Sequence, residues 1–242
     1  MLLKRLKSKL TKSRIWRTKN QARRYIHEFL GSAKYSRPAL NELDRKLERY
    51  LPYHSGVFIE AGGNDGYTQS NTYYFEKFKN WRGILVEPIP ELFEKCRNER
   101  KNSEVFSYAL VSSEYEGSKV TMTFSNLMSL VDGARKSIAA DNSHIERGAE
   151  IQDISTYKVD VPARTLSQII DGTNFTEIDL LSLDVEGYEL QVLKGLDFSR
   201  HAPKFMLIEA TFRDEIEDYI LDKYEQVEFL SHHDILYRRR QL

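Results

Sequence analysis

Residues 57–66 read Val57-Phe58-Ile59-Glu60-Ala61-Gly62-Gly63-Asn64-Asp65-Gly66, an apolar run that ends in a carboxylate and breaks at once into glycines. Such a pattern marks a buried parallel strand feeding a tight turn, where a backbone without side chains lets a ligand approach. A second apolar run, Ile84-Leu85-Val86, ends in Glu87. The gap from Gly66 to Glu87 is close to the ~20-residue spacing at which an acid on the second strand meets a ribose. The chain has no Gly-Lys-Ser/Thr here to hold a β/γ-phosphate and no Gly-x-Gly-x-x-Gly for a pyrophosphate. The two runs together describe a pocket for a nucleoside without phosphates, of which S-adenosylmethionine is the commonest.

Outward from this stretch the pattern alternates. The periodicity predicts strand 57–61, helix 68–79, strand 83–87, helix 90–100 opened by Pro90, and strand 105–110. It resumes with helix 165–170, strand 179–184, helix 187–196, strand 205–210 and helix 213–223. Two last strands, 224–230 and 234–240, are joined by only Ser231-His232-His233 and must be antiparallel neighbours. The expected fold is α/β: a seven-stranded, doubly wound, Rossmann-like methyltransferase sheet with a final antiparallel hairpin. Between about 111 and 164 the alternation loosens. Segments Lys119–Phe124 and Ser155–Val161 predict a hairpin around a mobile loop, an insertion where substrate contacts tend to lie.

In such sheets the ligand crevice lies at the carboxyl ends of the strands. Those ends carry Glu60, Glu87, Asp184 and Glu209. His232 and His233 fall in the final hairpin at the same edge, and a histidine is readily poised to take a hydroxyl proton near neutral pH. His144 and Glu146, inside the insertion, read as surface residues.

The 242 residues, 40% hydrophobic and 12% aromatic, suffice for one sizeable core. The single Cys96 excludes an intrachain disulfide and fits a reducing compartment. The zero net charge hides an asymmetry. Ten basic residues precede the first acid, Glu28, which leaves ten acids in excess over the remainder of the chain. Leu2, Leu3, Leu6, Leu10 and Trp16 fall near helical spacing among these bases. Residues 1–50 are therefore expected to form a basic helical extension to a domain spanning 51–242, with residues 1–30 meeting an anionic membrane peripherally. There is neither the apolar stretch of ~7–15 residues of a signal peptide nor a run of ~18 that could span a bilayer. The expected location is cytoplasmic, peripheral at the membrane's inner face, and no nucleic-acid partner is expected.

The sequence resembles the FkbM-type methyltransferases over about residues 55–240. The resemblance rests on residues 58–66 with Ser70-Asn71-Thr72, on Val86-Glu87-Pro88, on Pro162-Ala163-Arg164-Thr165-Leu166, and on Leu183-Asp184-Val185-Glu186-Gly187-Tyr188-Glu189 running into Val192-Leu193-Lys194-Gly195. It implies an S-adenosylmethionine-dependent O-methyltransferase. Glu60, Gly62, Asn64, Asp65 and Gly66 would surround the methionine part of the cofactor, Glu87 would hold the ribose hydroxyls, and Ala109 would lie beside the adenine. The implied acceptor is a hydroxyl of a sugar in a glycan, glycolipid or nucleotide sugar. The alternatives are a small natural product as acceptor, or a non-catalytic, membrane-docked module of the same fold.

Transfer to a hydroxyl needs alignment and removal of one proton. Asp184 and Glu186 alternate along the strand end, so both reach one site only if the turn has begun at Val185. The candidate catalytic set is Asp184, Glu186, Glu209, His232 and His233. Asp184 and Glu209 could share a divalent cation such as Mg²⁺ that acidifies the acceptor.

Overall fold

A computed structural model describes residues 19–135, 137–152 and 154–240. Most of the apolar and basic positions read as an amphipathic arm, residues 2–17, lie outside the described residues. The chain opens with a helix over residues 19–29, α1, then α2 (Leu43–Glu48), β1 (Val57–Ala61), α3 (Tyr73–Phe78), β2 (Arg82–Val86), α4 (Pro90–Glu99) and β3 (Glu104–Phe106). The insertion holds β4 (Ala109–Leu110), β5 (Lys119–Phe124), β6 (Leu130–Val131), α5 (Ile138–Gln152) and β7 (Tyr157–Arg164). Then follow α6 (Leu166–Asp171), β8 (Leu180–Leu183), α7 (Glu189–Lys194), α8 (Phe198–His201), β9 (Phe205–Glu209), α9 (Arg213–Ile220), β10 (Tyr224–Phe229) and β11 (Asp234–Arg239).

The main sheet has seven strands in the order β10-β11-β9-β8-β1-β2-β3. β9 through β3 run parallel, whereas β11 is antiparallel to β9 and β10 to β11, which is the expected closing hairpin. The chain winds one way from β1 and the other way from β8, so the two lie side by side and the crevice opens at their carboxyl ends. Period-2 alternation sorts the strand side chains between two cores. Ile59, Ala61, Ile84, Val86, Leu181 and Leu183 face α6, α7 and α9, while Phe58, Leu85, Leu180 and Leu207 face the other way.

That second core also takes Leu43, Leu47 and Leu51, so residues 43–51 pack as part of the sheet domain rather than as an appendage. Still earlier, Arg24 of α1 is only 3% exposed. It pairs with Glu99 at 2.8 Å and lies 3.6 Å over the Tyr67 ring.

The third strand corrects one expectation. Pairing with β2 stops at Phe106, and Ala109–Leu110 leave to pair in parallel with β7 in a second, four-stranded sheet, β4-β7-β5-β6. The expected hairpin of the insertion is β5 and β7, paired from Lys119 and Pro162 to Phe124 and Tyr157. About half of what reads as a loop between them is the fifteen-residue α5.

Candidate active site

The carboxyl ends of β1, β2, β8 and β9 surround a cavity of about 200 Å³. Register fixes its floor. Ala61 pairs with both Val86 and Leu183, so Gly62 and Asp184 emerge side by side, with the Asp184 amide donating to the Ala61 carbonyl at 3.2 Å. Gly62 has φ +90°, and a side chain there would meet the Asp184 carbonyl oxygen at 2.1 Å. The neighbouring backbone by itself thus forbids a side chain at Gly62, which lines the cavity. Gly66, at φ +82°, is closed in by Arg100 and the Cys96 backbone and does not line the cavity.

Glu60 lines the cavity but is already engaged. Its Oε2 accepts from Ser70, Thr72 and Arg100, and its Oε1 from the Asn71 amide. Arg100, fully enclosed, also donates to Glu76 and thereby locks β1, α3 and the end of α4 together. Glu60, expected beside the cofactor, thus lines the cavity and also ties the turn together. Asp65 likewise spends its carboxylate on Tyr67 and Thr68 of its own turn and stays off the cavity wall. Asn64 lines the cavity, and its amide donates to Glu87 at 2.7 Å. Glu87 accepts also from Ile89. Burial pushes its carboxyl up to about 7 despite these two backbone donors. Ala109, though it belongs to the second sheet, reaches the cavity beside Tyr108 and Leu110.

The acids after β8 and β9 converge. The strand ends at Leu183, and Glu186 and Gly187 then take positive φ (58° and 103°). Buried Glu189 holds this turn by accepting from the Val185 and Gly187 amides. The early turn is what lets Asp184 and Glu186 face one space. Carboxylate oxygens of Asp184, Glu186 and Glu209 lie within 4.8 Å of one another. Asp184 is exposed where it lines the cavity. Burial, and then the Glu209 carboxylate, raises its carboxyl well above the usual range. Burial, and then the Glu186 charge, pushes Glu209 up to about 8. His233 lines the cavity with Nδ1 3.7 Å from Glu209. His232 is exposed, lies with its ring tilted 57° against that of His233 and does not reach the cavity, because the hairpin turns it to solvent.

Three contributions escaped the sequence reading. Asn71, which lines the cavity, donates through Nδ2 to Ser182, while its Oδ1 is buried and has no partner. Asn126, Leu127 and Ser129 reach in from the insertion. His144 on α5, expected at the surface, lies 3.0 Å from Glu186 through Nε2. Only the Ser70-Asn71-Thr72 segment carried a signal for any of these; the rest depend on a tertiary return from the insertion.

The model of the methyltransferase FkbM domain matches residues 60–239. The chain belongs to the FkbM methyltransferase family. Its members' activity makes it a methyltransferase that uses S-adenosylmethionine. Among curated proteins, none matches the chain. Similar solved structures include a TehB-like S-adenosylmethionine-dependent methyltransferase from Corynebacterium glutamicum (11% identity, TM-score 0.40, 93% of this chain and 98% of that one). A methyltransferase from Geobacter sulfurreducens is similar at 13% identity and TM-score 0.39, over 91% of this chain and 86% of that one. The fold assignment rests on the sheet order, not on these overlaps.

The cavity of this FkbM methyltransferase fits the cofactor chemically. It offers a buried carboxylate after the second strand, an unpartnered amide oxygen beside the first, apolar walls from Val86, Ile89 and Leu110, and a group of acids facing the same space. A sulfonium is a cation, and crowded carboxyls favour one.

Proposed function

We propose that this enzyme transfers the methyl group to a hydroxyl oxygen, most simply of a sugar carried on a glycan, glycolipid or nucleotide. The observation that carries this reading is the group Asp184, Glu186 and Glu209, with oxygens within 4.8 Å, beside His233. A hydroxyl gives up its proton as it is methylated, and this group is where the chain can take it. The cofactor, when bound, supplies an electrophilic methyl on a good leaving group. Glu87 would grip the ribose hydroxyls, and Asn71 Oδ1 would accept from the ammonium of the methionine part. The crowding that raises the Asp184 and Glu209 carboxyls is relieved by a neighbouring cation, which favours the charged carboxylate that can act as base. Polar side chains from Asn126, Ser129 and Gln69 on the wall suit a hydroxyl-rich acceptor.

The test is transfer of a labelled methyl group to a panel of sugars and lipid-linked sugars, with product linkage read by mass spectrometry after alkali, which ethers survive. Asp184→Asn should keep affinity for S-adenosylhomocysteine within about tenfold and lower transfer by ~10² or more. Retained transfer would refute the role. Loss of transfer on chelation, restored by Mg²⁺, would show that the same three carboxylates work through a divalent ion; indifference to chelator leaves them as the direct base.

A further inference from the structure

Helix α1 presents two unlike faces. Inward, Arg24 pairs with Glu99, and Glu28 accepts from Ser36 and the Tyr73 hydroxyl. These contacts fix the helix on α3 and α4. Outward, Ile26, Phe29 and Leu30 are 60%, 91% and 71% exposed, an apolar patch at i, i+3, i+4 spacing that nothing among the described residues covers. Exposed Lys19 and Arg23 flank it. The sequence supplies the second term. The helix begins within the first 27 residues, which hold ten bases and no acid, and its own Glu28 is turned inward, whereas the remainder of the chain carries ten acids in excess.

An apolar face rimmed by bases is complementary to an anionic lipid surface, where apolar side chains enter the acyl boundary and bases meet headgroups. A second copy of this chain would have to bring its own basic stretch against the first, which like charge opposes. We propose that α1 docks this protein on an anionic membrane, with Ile26, Phe29 and Leu30 inserted and Arg24 as the rivet to the body. The seat is close to the cavity. Arg24 covers Tyr67, the neighbour of cavity-lining Thr68 and Gln69, and the chain leaving α1 bridges Gln69 at Ala39 before half-exposed Leu40 joins the cavity wall. Docking therefore brings the cavity rim toward the lipid.

Flotation of the full chain tests this. It should rise with phosphatidylcholine vesicles containing about 30% phosphatidylglycerol, not with phosphatidylcholine alone, and salt raised from about 0.1 to 0.5 M should release most of it. The double substitution Ile26→Glu, Phe29→Glu touches only exposed positions. It should cut the bound fraction at least about tenfold while leaving melting temperature and affinity for S-adenosylhomocysteine unchanged. Equal flotation of the variant, or no flotation of the native chain, overturns the proposal. So does a reversible dimer, seen by sedimentation and dispersed by the same substitutions, which would assign the face to a second copy. The homocysteine-adduct affinity reports the methyltransferase pocket separately, so neither result bears on it.

Discussion

Glu87 accepts two backbone N–H bonds and still faces the cavity. Glu87→Ala should weaken binding of S-adenosylhomocysteine by about 1.5–3 kcal/mol, the worth of charge-assisted hydrogen bonds to a diol; calorimetry checks this, and unchanged affinity in a folded variant would remove the ribose role. Glu209 makes a pH prediction. Its carboxyl ionises near 8 when folded against an ordinary 4.5, so the folded chain retains a proton that the unfolded chain releases. Its contribution to stability is complete below about 4.5 and is lost as pH rises to about 8. Glu87 and Glu189, each raised to about 7, act with the same sign. The melting temperature without cofactor should therefore fall from pH 5 to 8, and Glu209→Gln should make that fall shallower across the whole range. A flat profile in the native chain would contradict the buried-acid account. The glycines teach a different lesson. Gly62→Val should lower stability, not merely fill a ligand space, because the new Cβ strikes the Asp184 carbonyl.

Elements whose buried face is apolar were legible; elements whose buried face is polar were not. β1, β2 and β8 show as runs such as Phe58-Ile59 and Leu180-Leu181, buried on both faces. In α5 the buried positions are Asp141, Ile145 and Gly148, while Ile138 and Ile151 point outward, so hydrophobic periodicity has nothing to report. Asp141 is buried because it accepts from the Gly133 and Arg135 amides and pins the preceding loop to the helix. That pin is what brings His144 onto Glu186. His144→Ala should leave binding of S-adenosylhomocysteine intact and lower methyl transfer by about tenfold or more. Equal rates would make the contact merely structural. The break between β3 and β4 was invisible for another reason: Phe106-Ser107-Tyr108-Ala109-Leu110 holds no glycine or proline to mark it, and only pairing partners decide which sheet each half joins. Leu47 of α2 sits in the same core as Phe58 and Trp81. Leu47→Ala should cost ~2–5 kcal/mol in urea unfolding, far more than loss of a residue from a detached extension.

Across the whole chain, topology turns scattered acids into a site. Glu87, Asp184 and Glu209 lie far apart in sequence, and a parallel sheet that winds both ways from β1 and β8 brings their strand ends to one crevice. That much was readable from the alternation of strands and helices, and so was the closing hairpin. What was not readable is division of labour among the neighbours. Glu60 and Asp65 stand in the same motif as Asn64, yet their carboxylates accept from donors of the turn and its surroundings, Glu60 while lining the cavity, whereas the buried Oδ1 of Asn71 has no partner. Charge is divided in the same way, with bases gathered ahead of Glu28 and acids in the body. Titration calorimetry of the full chain with S-adenosylmethionine and S-adenosylhomocysteine tests the central claim most directly. One molecule should bind per chain, Glu87→Ala should weaken both ligands, and Asp184→Asn should weaken the sulfonium more than its neutral product. Absence of binding by the native chain, or equal binding by Glu87→Ala, would contradict the assignment of this cavity to the cofactor.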